Sequence, residues 1–132
     1  MKRSKLIACT VAGALLTATA AGGALHSGAA VPTGVKCPTK ALPLQVNSIA
    51  PATKAALAAE DTTTKPWVVG AWLATSDPNW GPDVKSQCGG TARKKTVVVY
   101  INLQVYKSAS LSSRVDFVSR FSDGYEVWET AH

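Results

Sequence analysis

Histidine is nearly missing from this chain of 132 residues, which carries only His26 and His132. His26 sits within the first thirty residues and His132 closes the sequence, so the folded body is expected to hold none. Serine or cysteine nucleophiles activated by imidazole therefore have no partner, and an imidazole-based metal centre has no ligand. Charge of one sign is also scarce in runs, the longest basic stretch being Arg93-Lys94-Lys95. Nucleic-acid binding needs several clustered phosphate contacts, and this triplet reads instead as a solvated strand entry. A long hydrophobic run is missing as well. Residues 6–25 are uncharged, but Leu6, Ile7, Val11, Leu15, Leu16 and Leu25 are their only strongly apolar members, and glycines and threonines dilute the second half. That is too weak for a membrane span.

What is present begins with an address. Lys2, Arg3 and Lys5 form a cationic head, an uncharged run follows from Leu6 to Leu16, and small residues fill 17–30. This three-part pattern predicts a secretory signal peptide over residues 1–30. Small-x-small cleavage sites end at Ala20, Ala29 and Ala30, and the later two leave Val31-Pro32 near the start of the product. Leu6-Ile7-Ala8-Cys9 spells a lipobox, but Cys9 precedes most of the apolar segment instead of closing it and is read as a small apolar residue of the leader. Removing the leader takes three of fourteen basic residues and none of the eight acidic ones, so the net charge becomes +3 rather than +6. Cys37 and Cys88 then remain as an even pair in an oxidising compartment, and a disulfide between them is predicted. Closing a loop of about fifty residues contributes roughly 4 kcal/mol in the chain-entropy model. The expected product is secreted, extracellular or cell-wall associated, with no cofactor, no bound metal, no nucleic-acid partner and no membrane span after processing.

Along the product, residues 31–47 carry Pro32, Gly34, Pro38 and Pro43 and read as an extended arm pinned by Cys37. A single domain is expected over 48–132. Residues 48–61 are the one helix expected, alanine-rich, with Pro51 near the first turn and Ile49, Thr53, Ala56, Leu57 and Glu60 along one side. Four strands follow, over 67–75, 96–106, 113–121 and 125–130. The second alternates with period two, Val97, Val99, Ile101, Leu103 and Val105 on the core side and Thr96, Val98, Tyr100, Asn102, Gln104 and Tyr106 on the other. The last two strands meet at Ser122-Asp123-Gly124. A two-residue Asp-Gly turn sets Phe121 opposite Glu126; a three-residue loop sets Phe121 opposite Tyr125, Arg120 opposite Glu126 and Val118 opposite Trp128. The second matches aromatic with aromatic and cation with anion, and is preferred. It puts Val115, Phe117, Phe121, Tyr125 and Val127 on the core side.

The fold class expected is therefore α+β, a short N-terminal helix packed on a four-stranded antiparallel sheet. This succession resembles the outline of cystatin-like and NTF2-like folds, and Asp123-Gly124-Tyr125-Glu126-Val127-Trp128 is similar to the aromatic strand that ends many NTF2-like domains. The resemblance covers about the last thirty-five residues. It implies a curved sheet enclosing a small-ligand or enzymatic cavity containing Asp116 or Tyr100.

Two places stand out as candidate sites, neither catalytic. The connection 76–95 reads as a long structureless loop holding Asp77, Asn79, Trp80, Asp83, Gln87 and Cys88, rigid through its prolines and the disulfide. Its oxygen side chains fit a calcium loop poorly, since Pro82 and Cys88 fall where glycine and glutamate belong. The outer sheet face gathers Tyr100, Asn102, Gln104 and Tyr106 with Arg114, Asp116, Arg120, Glu126 and Trp128. Binding is assigned to Trp72, Trp80, Tyr100, Asn102, Gln104, Arg120 and Trp128, since Trp, Tyr and Arg concentrate at recognition hot spots. Asp77 with Asp83, or Asp116 with Glu129, are the only carboxylate pairs to nominate for acid-base work. The reading is a secreted, disulfide-stapled binding domain for a protein or cell-envelope partner, the alternatives being the NTF2-like cavity protein and an inhibitor inserting the 76–95 loop.

Overall fold

Residues 34–107 and 109–132 are described in the computed structural model of the chain. The leader read over residues 1–30, with Cys9 and His26, lies outside them. The elements run α1 (Ile49–Ala59), β1 (Pro66–Leu73), α2 (Gly81–Lys94), β2 (Thr96–Leu103), a short turn of helix α3 (Ala109–Ser112), β3 (Ser113–Phe121) and β4 (Gly124–Ala131). The strands form one antiparallel sheet in the order β1-β2-β3-β4. The α+β class, the helix preceding the sheet and the Cys37–Cys88 bond all stand as expected. Among the described residues, no helix is long and apolar enough to cross a membrane.

The segment expected to be structureless is α2. Pro82 occupies its first turn, where a missing N–H costs nothing, Asp83 faces the positive end of the helix dipole, and Arg93 and Lys94 face the negative end. Trp80, Val84, Cys88 and Ala92 recur every fourth residue and pack on one face of the sheet with Val98, Val115 and Phe117. Gly89, at φ +85°, breaks the helical path after Cys88, which is the conformation glycine alone adopts cheaply. The adjacent Gly89-Gly90 pair and Pro82 carry the outward signature of a loop, which is why the helix was not expected.

α1 covers the opposite face. Ala52 and Ala56 are fully buried against Val97, Val99, Ile101 and Val118, so small side chains let the helix approach the sheet closely, while Ile49 is exposed. Ser48, just before α1, is buried and shares a 2.6 Å hydrogen bond with the Tyr125 hydroxyl.

With a helix on each side, the face expected to meet solvent is largely a second core. The register also corrects the face assignment. β2 and β3 pair with Val97 opposite Val118, Val99 opposite Asp116 and Ile101 opposite Arg114. Arg114, Asp116 and Arg120 therefore lie on the α1 face, and Val115 and Phe117 on the α2 face beside Val98 and Tyr100, the reverse of the expected arrangement. β3 is buried on both sides from Val115 to Ser119, and its apolar side, Val115 and Phe117, meets the core under α2, a layer not expected from the sequence.

The hairpin adopts neither register considered. Ser122 and Asp123 form a two-residue turn, Gly124 at φ +131° already pairs with Phe121, Arg120 faces Tyr125, and Val118 faces Val127. This register brings Tyr125 to Ser48 and Val127 beneath α1, so burial under the helix prevails over the cross-strand matches. A bulge at Trp128 then shifts the pairing, setting Phe117 opposite Glu129.

The arm is anchored at three points. Cys37 bonds Cys88, Leu42 bridges to Arg120 as an isolated strand pair, and Lys95 Nζ donates to the Ala41 carbonyl at 2.6 Å.

Candidate functional site

α2 leaves the β1 side of its face bare, and the chain places its two exposed tryptophans there. Trp67 pairs with Asn102 and Trp72 with Val98. Both partners lie on the α2 face, so both indoles do as well. Residues five apart in a regular strand point to opposite sides. A bulge at Val69, between Val68 and Gly70, inserts the extra residue that brings the two tryptophans to the same side. Trp67 is 49% exposed and Trp72 46%.

The Trp72 ring rests over Gly70. A Cβ at that glycine would come 2.1 Å from Trp72 Cη2 and 2.5 Å from Cζ3, so hydrogen is the only side chain the seat admits. Tyr100, directly across from Gly70, meets the Trp72 ring edge to face, centroids 5.2 Å apart at 85°. Its hydroxyl donates to Asp77 Oδ2 at 2.7 Å and receives a longer contact from Asn79 Nδ2 at 3.5 Å. Burial pushes the Tyr100 phenol up to about 12, Asn79 pulling it down and Asp77 adding to the rise. The phenol stays neutral and remains a donor.

Asp77 fixes the whole corner. Its Oδ1 accepts from the Asn79 and Trp80 amides at 2.9 and 2.7 Å, the short-range turn that starts α2. Both carboxylate oxygens are thus occupied by protein donors. The rings are set before any ligand arrives, and the side chains around them, Asn79, Asn102 and the tyrosine hydroxyl, are uncharged.

Of the residues assigned to binding from sequence, Trp72, Tyr100 and Asn102 share this surface. Trp80 is 8% exposed and stacks edge to face on Phe117 in the core. Trp128 is half-buried on the far side of Phe117, centroids 5.6 Å apart, and its buried Nε1 has no hydrogen-bond partner. Gln104 is exposed just beyond the end of β2, and Arg120 lies on the α1 face. Trp67 is not among those candidates, and strict alternation alone would put it on the side of the sheet opposite Trp72. Gly70 inside an apolar strand was the available sign of a bulge.

Of the nominated carboxylate pairs, Asp116 and Glu129 separate, and Asp77 of the other has both oxygens occupied by protein donors. Glu129 pairs with Phe117 on the α2 face, whereas Asp116 lies on the α1 face, fully buried. The partner Asp116 does have is Glu60, at the end of α1, through one guanidinium. Arg114 Nε donates to Asp116 Oδ1 at 3.1 Å and stands 2.7 Å from Glu60 Oε1 without the alignment of a hydrogen bond. Thr130 Oγ1 donates to Asp116 Oδ1 at 3.0 Å, and Asp116 Oδ2 is left unpartnered. Burial raises both carboxyls, outweighing the pull of Arg114. Glu60 and Arg114 also border an open groove of about 450 Å³ with Tyr106, Leu111 and His132. Asp116 does not line that groove, so this is a buried ion network rather than a pair of carboxylates facing a substrate.

No protein-family model, no curated protein and no solved structure matches the chain; of the cystatin-like and NTF2-like outline, the structure shows the helices and the four-stranded antiparallel sheet.

Proposed function

We propose that this protein is a non-catalytic extracellular binding domain whose contact surface is the bare β1 half of the sheet. One observation carries the reading: a bulge places Trp67 and Trp72 on one face of an edge strand, and a glycine seat, a tyrosine wall and a buried aspartate hold that face rigid. Half-exposed tryptophans cost solubility, and pre-set rings reduce what ordering costs on binding. Residues 1–30 act as the leader, residues 31–47 as the stapled arm and 48–132 as the domain. The disulfide suits an oxidising compartment. An inhibitor reading loses its inserting element, since Trp80 is buried and the chain enters α2 immediately after it.

The test is retention of purified, oxidised protein on isolated cell-envelope and secreted fractions. Retention lost in Trp67→Ala/Trp72→Ala but kept in Lys54→Ala, on the exposed side of α1, is the expected outcome. Equal retention by all three proteins would remove the assignment.

A further inference from the structure

Resting on that reading of the surface, we propose that its ligand is a neutral polysaccharide, with sugar rings stacking on Trp67 and Trp72. Three observations select this class. The first is charge: β1, Pro66–Leu73, contains no charged residue, and the one carboxylate at the corner, Asp77, is buried and occupied at both oxygens. Within the strand a partner recognised through charge finds nothing to pair with, the flanking cations being Lys65 before it and Arg93 beyond it, whose guanidinium is held by the Ala74 and Thr75 carbonyls. The second is area. Two half-exposed indoles present on the order of 100 Å² each, about 200 Å² together. That is a quarter of the roughly 800 Å² each partner contributes to a standard protein interface.

The third is the pattern of chemistry. A pyranose has a C–H face, whose weakly positive hydrogens suit the negative face of an indole, and a hydroxyl rim that donates and accepts hydrogen bonds. The surface offers both in that arrangement. The far end of the Trp72 ring lies over Gly70, Tyr100 stands against it at 85°, and the amides of Asn79 and Asn102 lie alongside. The Asn amides can donate and accept, and the Tyr100 hydroxyl, its proton given to Asp77, keeps acceptor capacity, so the rim suits sugar hydroxyls without selecting a charge. A strand edge also leaves a long polymer free to continue past the protein at either end.

The experiment incubates the purified protein with cellulose, chitin and mannan, at low salt and at about 1 M salt, where exposed charge pairs are screened beyond roughly 3 Å. Depletion from solution reads the bound fraction. The expected result is retention on at least one polymer, unchanged by salt, weakened about tenfold or more by Trp67→Ala and by Trp72→Ala, with Trp67→Phe recovering part of the loss because a ring remains. Near-ultraviolet dichroism and urea unfolding confirm that each variant is folded. Failure to bind all three polymers overturns the polysaccharide assignment. If the same preparations still capture an envelope protein through Trp67 and Trp72, the binding surface stands and only its ligand class falls. Retention that ignores both tryptophans overturns the ligand and the surface together, and retention that salt abolishes overturns a neutral ligand.

Discussion

Replacing Gly70 by alanine should dismantle the aromatic surface while leaving the fold intact. Gly70 has an ordinary backbone conformation, since the positive-φ glycines are Gly34, Gly89 and Gly124, so the added methyl acts by contact alone. It would meet the far end of the Trp72 ring at 2.1 Å, and that ring can move only by leaving its seat. Trp72 is 46% exposed, so on the order of 100 Å² is covered, worth about 2.5 kcal/mol at 25 cal/mol/Å². The edge-to-face contact with Tyr100 adds roughly 0.5 to 1.5 kcal/mol. Removing a strand glycine returns about 0.5 to 1 kcal/mol, and a displaced ring keeps some burial elsewhere. The net loss should be about 1 to 2 kcal/mol, a fall of about 1 M in the urea midpoint for a domain of this size. Near-ultraviolet dichroism should lose the Trp72–Tyr100 contribution. The decisive comparison is the same change made in Trp72→Ala, where it should be neutral or slightly stabilising. An equal loss in both backgrounds would refute the seating of Trp72 on Gly70.

Three further outcomes are expected. Burial holds Glu60 and Asp116 above their ordinary values of 4.5 and 3.8, so the folded protein retains protons that the unfolded chain has released. Stability should therefore be fully present below those ordinary values and fall as pH rises through the raised ones; urea midpoints measured across that range should show the slope, and Asp116→Asn should flatten it. Breaking the staple with Cys37→Ser/Cys88→Ser should cost about 4 kcal/mol for a separation of 51 residues, read as a lower melting temperature. Trp80→Ala should cost about 3 to 5 kcal/mol as a large core truncation, whereas Trp67→Ala, which uncovers only half a side chain, should cost about 2 kcal/mol; equal losses in calorimetry would contradict the burial of one and the half-exposure of the other.

The parts of this fold legible in the sequence are those where one local signal had no rival. Ser113–Phe121 is a strand with the expected bounds, α1 buries alanines, and two cysteines in the product left one pairing. The rest was obscured by competition between signals. The four-residue spacing of Trp80, Val84, Cys88 and Ala92 was present, but Pro78, Pro82 and Gly89-Gly90 outweighed it, and without α2 the second face of the sheet passed for solvent. Tyr100 and Trp72 were nominated from the sequence by residue type, and the structure sets them against each other. Their setting was not legible, because alternation loses its phase at Val69 and again at Trp128, and a buried Asp77 cannot be told from an exposed one without its donors.

The bulge at Val69 has an evolutionary consequence. Deleting this one residue would leave Trp67 and Trp72 four apart in a regular strand, still on one side of the sheet, whereas a strand that kept Val69 but lost the bulge would send them to opposite sides. The shared face depends on the bulge only while the extra residue is present. Among descendants of such a gene, loss of that codon would preserve the pairing of the two rings, and substitutions that straighten the strand would part them.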